Sequence, residues 1–300
     1  MWFKNVRAYR LTYDAGVNAD TLEAALQTRT FVPCGKTDTL RAGWVSPLGD
    51  NGQMLTHTVG QHAMICLRLQ EKVLPPAAIN ERVDERVAEV EAREGRPVRR
   101  KEKTALKEET ILDLLPRALT KSELLYAYFD FERRWLLIDT ASESKAERLI
   151  DYLRAILEAL PVVPLEPQQD VISTMTAWLV GGAPKHLALD QDIELTNKEH
   201  VRNTVRCRNQ DIDSAEVRSH LDAGKQVTLL GVQWREAIDL LLDHQFIIRR
   251  LRFDDKIRVH EEGAGDDAAS RFDQDFAVMA VQLGSLIDDL LEACGGVETI

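Results

Sequence analysis

The sequence predicts an α+β fold of mixed, largely antiparallel sheets with flanking helices and an inserted helical hairpin. Three observations carry this expectation. Strand-type segments joined by short turns recur in both halves of the 300-residue chain, as at Leu55–Val59 and His62–Val73 around Gly60-Gln61. Amphipathic helical stretches stand between groups of strands rather than after every strand, which favours antiparallel sheets over a βαβ array. One stretch of roughly forty residues, 75–120, has helical spacing and interrupts strand-rich sequence on both sides.

Taken in order, Trp2–Leu11 reads as a first strand, and Asn18 as the N-cap of a helix over Ala19–Gln27. A turn-rich stretch follows, with Gly43–Leu48 as a short strand, and then the 55–73 hairpin. Beyond Pro75-Pro76, Ile79, Val83, Val87 and Val90 mark one face of a helix that Gly95-Arg96-Pro97 stops. A second helix runs from about Val98 to Leu115, where Pro116 ends it. Strands return at Leu124–Phe131 and Arg134–Asp139. Ser142 reads as the cap of an amphipathic helix through Leu160, and Pro161–Pro167 as a stiff connector. The second part holds a helix at Asp170–Leu179, strands at Leu187–Leu195 and Glu199–Cys207, and a helix at Ser214–Ala223. A meander of Val227–Trp234, Ala237–Leu242 and Phe246–Phe253 leads to a closing helix, Asp273–Ala293. The expected organisation is an N-terminal α+β region (1–74 and 121–165), the inserted hairpin (75–120), and a C-terminal α+β region with an acidic end (166–300).

An apolar fraction of 44% with 29% charged residues is that of a globular chain with a buried core. The opening residues lack an apolar h-region, so no secretory signal is expected, and no apolar run is long enough to span a bilayer. Cys34, Cys66, Cys207 and Cys294 form no CxxC pair, which favours reduced thiols and a cytoplasmic location.

The net charge of −11 opposes nucleic-acid binding only until its distribution is read. Residues 259–300 hold ten acids and one arginine, or −9. The basic residues cluster elsewhere: residues 96–107 carry +5, and 198–208 and 249–258 carry +3 each. Such a chain can offer phosphates a positive surface while staying acidic overall. Arg96, Arg99, Arg100, Lys101 and Lys103 crowd the turn and first turn of the second predicted helix, where cations oppose the helix dipole. The exposed N–H groups of a helix start favour an anion, so a phosphate would resolve both conflicts. The plainer reading is a solvated basic turn paired with Glu94, Glu102 and Glu108.

Other chemistry is thinly represented. No phosphate-loop or dinucleotide glycine pattern occurs, and the seven histidines include no HxH or HExxH pair. The doublets Asp254-Asp255, Asp266-Asp267 and Asp288-Asp289 make poor metal cages, because neighbouring side chains point apart. Aromatics are 6% and do not interleave with basic residues, so contact with the duplex backbone is expected over base stacking. The five tryptophans are expected in the core.

Several stretches together resemble one family. They are Met1-Trp-Phe-Lys-Asn5 with Tyr9-Arg10-Leu11, Phe31-Val-Pro-Cys-Gly35, Gly43-Trp-Val45, Pro47-Leu-Gly49, Leu115-Pro-Arg-Ala118, Leu160-Pro-Val-Val-Pro-Leu165, Gly224-Lys-Gln-Val-Thr228, Arg250-Leu-Arg-Phe253, Arg271-Phe-Asp273 and Asp275-Phe276. Their order and spacing over residues 1–295 resemble the RdgC family of bacterial recombination-associated proteins. The resemblance implies a ring-forming homodimer with a basic hole that encircles double-stranded DNA without sequence preference. It also implies nucleoid association, restraint of RecA-promoted strand exchange, and no catalysis, cofactor or membrane partner. The hole-lining residues would be Arg96, Arg99, Arg100, Lys101, Lys103 and Arg117, with Arg206, Arg208 and Gln210 opposite. Leu119 stands where the family often has a phenylalanine at a ring-closing contact, and Asn209 where relatives often carry lysine. Two other functions compete: an interaction module acting through the acidic C-terminal surface on a basic or recombination partner, and a metal-dependent hydrolase of DNA.

Overall fold

The structure, a computed structural model, describes residues 1–13, 16–197, 203–258 and 268–297. Its first sheet has the order β2-β4-β5-β6-β1-β7: β1 is Arg7–Leu11, β2 Leu40–Val45, β4 His62–Val73, β5 Leu119–Asp130, β6 Trp135–Ile138 and β7 Val162–Pro164. A short β3, Thr56–Val59, pairs with β4 beside β2. The second sheet runs β12-β11-β10-β8-β9: β8 is Leu187–Asn197, β9 Thr204–Cys207, β10 Lys225–Trp234, β11 Ile238–Asp243 and β12 Ile248–Phe253. Every named strand pair is antiparallel, as the α+β expectation requires.

Strand alternation divides the first sheet between two cores. Ile65, Leu67, Ala127, Phe129, Leu136 and Ile138 face one way, against α1 (Ala19–Gln27) and α4 (Glu143–Arg154). Met64, Tyr128, Trp135 and Leu137 face the other way and share a core with the second sheet and α7 (Ala268–Ala293). The α7 residues Phe276, Met279, Leu283, Leu286, Ile287, Leu290 and Leu291 are all buried there. α5 (Val171–Gly181) adds Val171, Met175 and Trp178 to the same core, and α6 (Ala215–Asp222) adds Val217. Four of the five tryptophans are buried, and Trp2 packs on Phe253 at 4.6 Å. All four cysteines are free thiols.

The predicted cap of α1 is present: Asn18 Oδ1 accepts from the Asp20 and Thr21 amides, and Thr21 Oγ1 accepts from the Asn18 amide at 2.9 Å. α1 is also pinned from below by Glu23. Its buried carboxylate accepts from the Leu55 and Thr56 amides, the Thr56 hydroxyl and Gln27. Burial pushes that carboxyl upward, but the hydrogen bonds from Thr56, Leu55 and Gln27 outweigh it and hold it below its ordinary value. A depressed folded-state value means stability that is present at neutral pH and lost as pH falls through the carboxylate range. Glu23→Gln puts an amide donor against those N–H groups, with an expected cost of about 1–3 kcal/mol at pH 7. In urea titrations the gap from the parent should narrow in acid; an equal gap at pH 7 and pH 3 would contradict this account.

Several boundaries differ from the sequence reading: α4 stops at Arg154 rather than Leu160 and Ser142 makes no side-chain cap hydrogen bond to it, and α7 begins at Ala268 rather than Asp273. The first strand begins at Arg7, because Trp2–Val6 crosses to the second sheet and α7: Val6 bridges Ile248 of β12, and the Phe3 amide meets Met279 Sδ of α7 at 3.1 Å. The strand predicted at Gly43–Leu48 is β2, Leu40–Val45, set by its pairing with β4. The connector Pro161–Pro167 contributes β7, an edge strand on β1, where proline is tolerated. β5 starts at Leu119 rather than Leu124: the polar stretch Leu119–Glu123 is held by register with Leu69–Val73 of β4, not by burial. The strand expected at Glu199–Cys207 is described only as β9, and residues 198–202 lie outside the described residues.

Candidate nucleic-acid interface

The β4–β5 ladder runs from His62↔Asp130 to Val73↔Leu119, and the inserted hairpin closes its far end. The hairpin comprises α2 (Pro76–Glu94) and α3 (Arg100–Leu114), followed by a 3-10 turn at Leu115–Arg117. α2 ends at Gly95, whose φ of 66° is the left-handed conformation that glycine supplies freely. Few side chains of the arm are buried: Ile79 and Val83 of α2, Thr110 of α3 and Leu115. Polar bonds join the two helices. Lys103 pairs with Asp84 at 2.8 Å, and Arg86 reaches Asp113 and the Thr110 hydroxyl.

The basic residues of the tip fall into two groups. Arg96 is bound by its own chain, to Glu94 at 2.6 Å and Glu102 at 2.7 Å, as the plainer reading expected. Glu102 also accepts from the Arg99 amide at 2.9 Å, which caps α3. The Arg96 hydrogen bonds come first among the causes that hold the Glu102 carboxyl down to about 2, followed by the Arg99 amide. Lys103 is likewise spoken for by Asp84. Arg99, Arg100 and Lys101 are exposed and have no ion-pair partner among the described residues, and neither does Lys107. Glu108 pairs with none of them. Three free cations therefore surround a helix start, an arrangement unfavourable for an isolated helix and suited to an anion.

Arg117 is exposed, with no ion-pair partner among the described residues, beyond the other end of α3, about 25 Å from Arg100 by helical rise. The arm thus presents cations at its tip and its base. Leu119 is 80% exposed beside Val73, its register partner, which is also exposed, so an apolar pair lies at the arm's base.

The second predicted group sits on β9 and the loop after it. Arg206 is paired with Glu194 at 2.5 Å, and Gln210 Nε2 donates to Glu216 at 2.6 Å. Arg208 is exposed with no ion-pair partner among the described residues, so it alone of the three offers a free cation. Asn209 adopts φ of 51° and places its amide 3.3 Å from Asp192 Oδ1. Arg206 and Arg208 line a concavity of about 420 Å³ together with Arg249 and Arg250 of β12. The sequence marked 249–258 as basic but did not assign these two arginines to a site. The available signal was the doublet itself: on a regular strand one of the two would face the core.

The remaining candidates have structural partners. His57 lies 3.2 Å from Asp273 and His62 3.4 Å from Asp130, and both rings meet Phe276 of α7. Asp288 binds Arg133 while Asp289 binds Trp234 and Arg235, so that doublet does point apart. Among the described residues no three His, Cys, Asp or Glu side chains group as a metal site would need. Of the acidic end, Asp273, Asp275, Asp288 and Asp289 are engaged with the chain's own groups, and Asp266-Asp267 lie outside the described residues. No helix among the described residues is long and apolar enough to cross a membrane.

Comparison with known proteins adds a family. The family model named RdgC, described as "Putative exonuclease, RdgC", matches residues 1–297. Proteins named recombination-associated protein RdgC are similar along their whole length. That of Psychromonas ingrahamii is 39% identical over 302 residues, covering 100% of both chains. Those of Tolumonas auensis and Proteus mirabilis are 37% and 35% identical over 298 residues, covering 99% of each chain.

Proposed function

The chain belongs to the RdgC family, and from that premise we propose that it binds duplex DNA without reading its sequence and so restrains recombination. The observation that carries this reading is the tip of the arm, where Arg99, Arg100 and Lys101 stand exposed around the start of α3 with no ion-pair partner among the described residues, Arg99 within electrostatic reach of Glu102. Fixed guanidinium groups and N–H donors at a helix start bind phosphate oxygens, which are the same for every base pair. Arg117 at the arm's base and Arg208 on the second sheet extend the positive surface. The protein acts as a homodimer that closes around DNA, associates with the nucleoid, and denies RecA its duplex template. Its action is occupancy rather than cleavage, in keeping with relatives named for recombination and not as enzymes, although the family description mentions an exonuclease.

The test is competition between unrelated duplexes of equal length, with and without magnesium or manganese. Affinities within about threefold of one another and intact DNA are expected, because backbone contacts carry no sequence information. A strong preference for one sequence, or shortened products, would overturn the reading.

Leu119 supplies a second test, of the ring. An apolar side chain so exposed beside Val73 fits a contact between protomers. Leu119→Glu should shift micromolar protein from dimer to monomer in sedimentation velocity and weaken DNA retention with it. Sedimentation unchanged from the parent would remove this patch from the dimer contact.

A further inference from the structure

The backbone irregularities of the second sheet converge on the concavity of about 420 Å³ that Arg206, Arg208, Arg249 and Arg250 share. Between the pairs Asp239↔Arg252 and Leu241↔Arg249, two residues of β12, Arg250 and Leu251, oppose the single Leu240 of β11. This is a β-bulge, and Arg250 within it has φ of 53°, an unfavourable conformation for an arginine. Its consequence is that two consecutive arginines line the same cavity, which regular alternation forbids. A second bulge, between Val227↔Leu195 and Leu229↔Glu194, brings Thr228 to the same wall.

The cavity carries a small positive excess. Four arginines face three carboxylates, Asp192, Glu194 and Asp243. Asp243 is buried and takes the Nε and Nη2 donors of Arg249 at 2.7 and 2.5 Å, while also accepting from the Gln245 and Ile247 amides. Arg249 is therefore held rigid, with no hydrogen bond from Nη1 among the described residues. Arg250 has only a loose partner, Asp192 at 3.6 Å, and Arg208 has none among the described residues. One anchored guanidinium, one weakly held and one free around a single hollow are donors set for a tetrahedral oxyanion.

We propose that this hollow is a second phosphate-binding site, in which Arg208 and Arg250 grip the anion, Arg249 presents a fixed donor, and Asp243 is the positioning residue. The inference deepens the duplex-binding reading and rests on it for the source of the phosphate, a DNA backbone diester. A free or terminal nucleotide monophosphate shares that chemistry, and the experiment separates the two.

The full-length protein and its Arg208→Gln and Arg250→Gly variants are titrated with a labelled duplex lacking terminal phosphates and, by calorimetry, with thymidine 5′-monophosphate. Glycine is at ease at φ of 53°, so Arg250→Gly should melt at the parent's temperature or above while binding less. Arg208 bears no ion pair among the described residues, so its variant reads binding without a folding cost. Loss of a charged hydrogen bond to phosphate should weaken duplex binding by about tenfold in either variant. That result assigns the hollow to backbone phosphate. Saturable monophosphate binding that both variants lose, with duplex affinity unchanged, retains the site and assigns it to a nucleotide monophosphate. If both variants match the parent with both probes, the proposal is overturned. A parent protein that fails to bind duplex at all would sink the duplex reading alone, because the monophosphate titration still reports on the hollow.

Discussion

Replacing Arg99, Arg100 and Lys101 together by glutamine should lower duplex affinity by about two orders of magnitude near 0.1 M salt. Each cation seated on a phosphate releases condensed counterions, and each contact contributes roughly 0.9 to the slope of log K against log salt. Three lost contacts per protomer, six in the dimer, remove roughly 5.4 from that slope if all are seated, so the defect should shrink as salt rises. The fold should be indifferent, because these side chains are exposed and unpaired. Arg96→Gln is the informative comparison. It removes the same charge but from a residue already neutralised by Glu94 and Glu102. Its effect on DNA should be much smaller, and its effect on the arm larger, since Glu102 caps α3 while paired with Arg96. Equal losses in Arg96→Gln and in a single Arg100→Gln variant, read by fluorescence anisotropy, would mean that bulk charge rather than local geometry is being measured.

The largest effect on stability is expected at Phe276. The residue is fully buried where α7 meets the first sheet, with ring centroids 5.6 Å from Tyr128, 6.0 Å from His57 and 6.4 Å from His62. α7 carries apolar side chains into a core that draws on both sheets, so a cavity there loosens the joint between them. Phe276→Ala should cost about 3–5 kcal/mol. For a chain of this size that is a fall in melting temperature on the order of 10 °C. It would also leave His57 and His62 without their shared ring, although Asp273 and Asp130 remain within reach. Thermal melts followed by circular dichroism would check the figure, and a drop of only a degree or two would show that α7 is not what joins the sheets.

Much of this architecture was legible in the sequence, for physical reasons that can be named. α1 is announced by Asn18, whose side chain does what a cap residue is selected to do. The arm is announced by spacing at Ile79 and Val83 and by Gly95, the one residue type that takes a left-handed turn freely. What stayed hidden depends on partners far along the chain. Nothing local in Leu119–Glu123 says strand, since its order comes from β4, and nothing in Trp2–Val6 says that it serves the second sheet. β7 was concealed by prolines, which suit an edge strand but do not reveal one.

The candidate site follows the same division. Charge density found the tip and β9, and the family resemblance added Arg117 at the arm's base, but neither shows pairing. Arg96, Lys103, Arg206 and Gln210 are engaged within the chain, leaving Arg99, Arg100, Lys101, Arg117 and Arg208 as the free donors of the expected set. The converse omission, Arg249 and Arg250, arises from a bulge, which changes where side chains point without changing composition.

The central claim is that this acidic chain holds duplex DNA through phosphates, and one measurement addresses it most directly. A labelled duplex of arbitrary sequence is titrated with the unmodified protein across a range of salt concentrations, and log K is plotted against log salt. Five free cations per protomer, ten in the dimer, if all are seated on phosphates, predict a straight line with a slope of roughly −9. Weak binding with a slope near zero would contradict the account, and would turn attention from the arm to the acidic end of the chain and a protein partner.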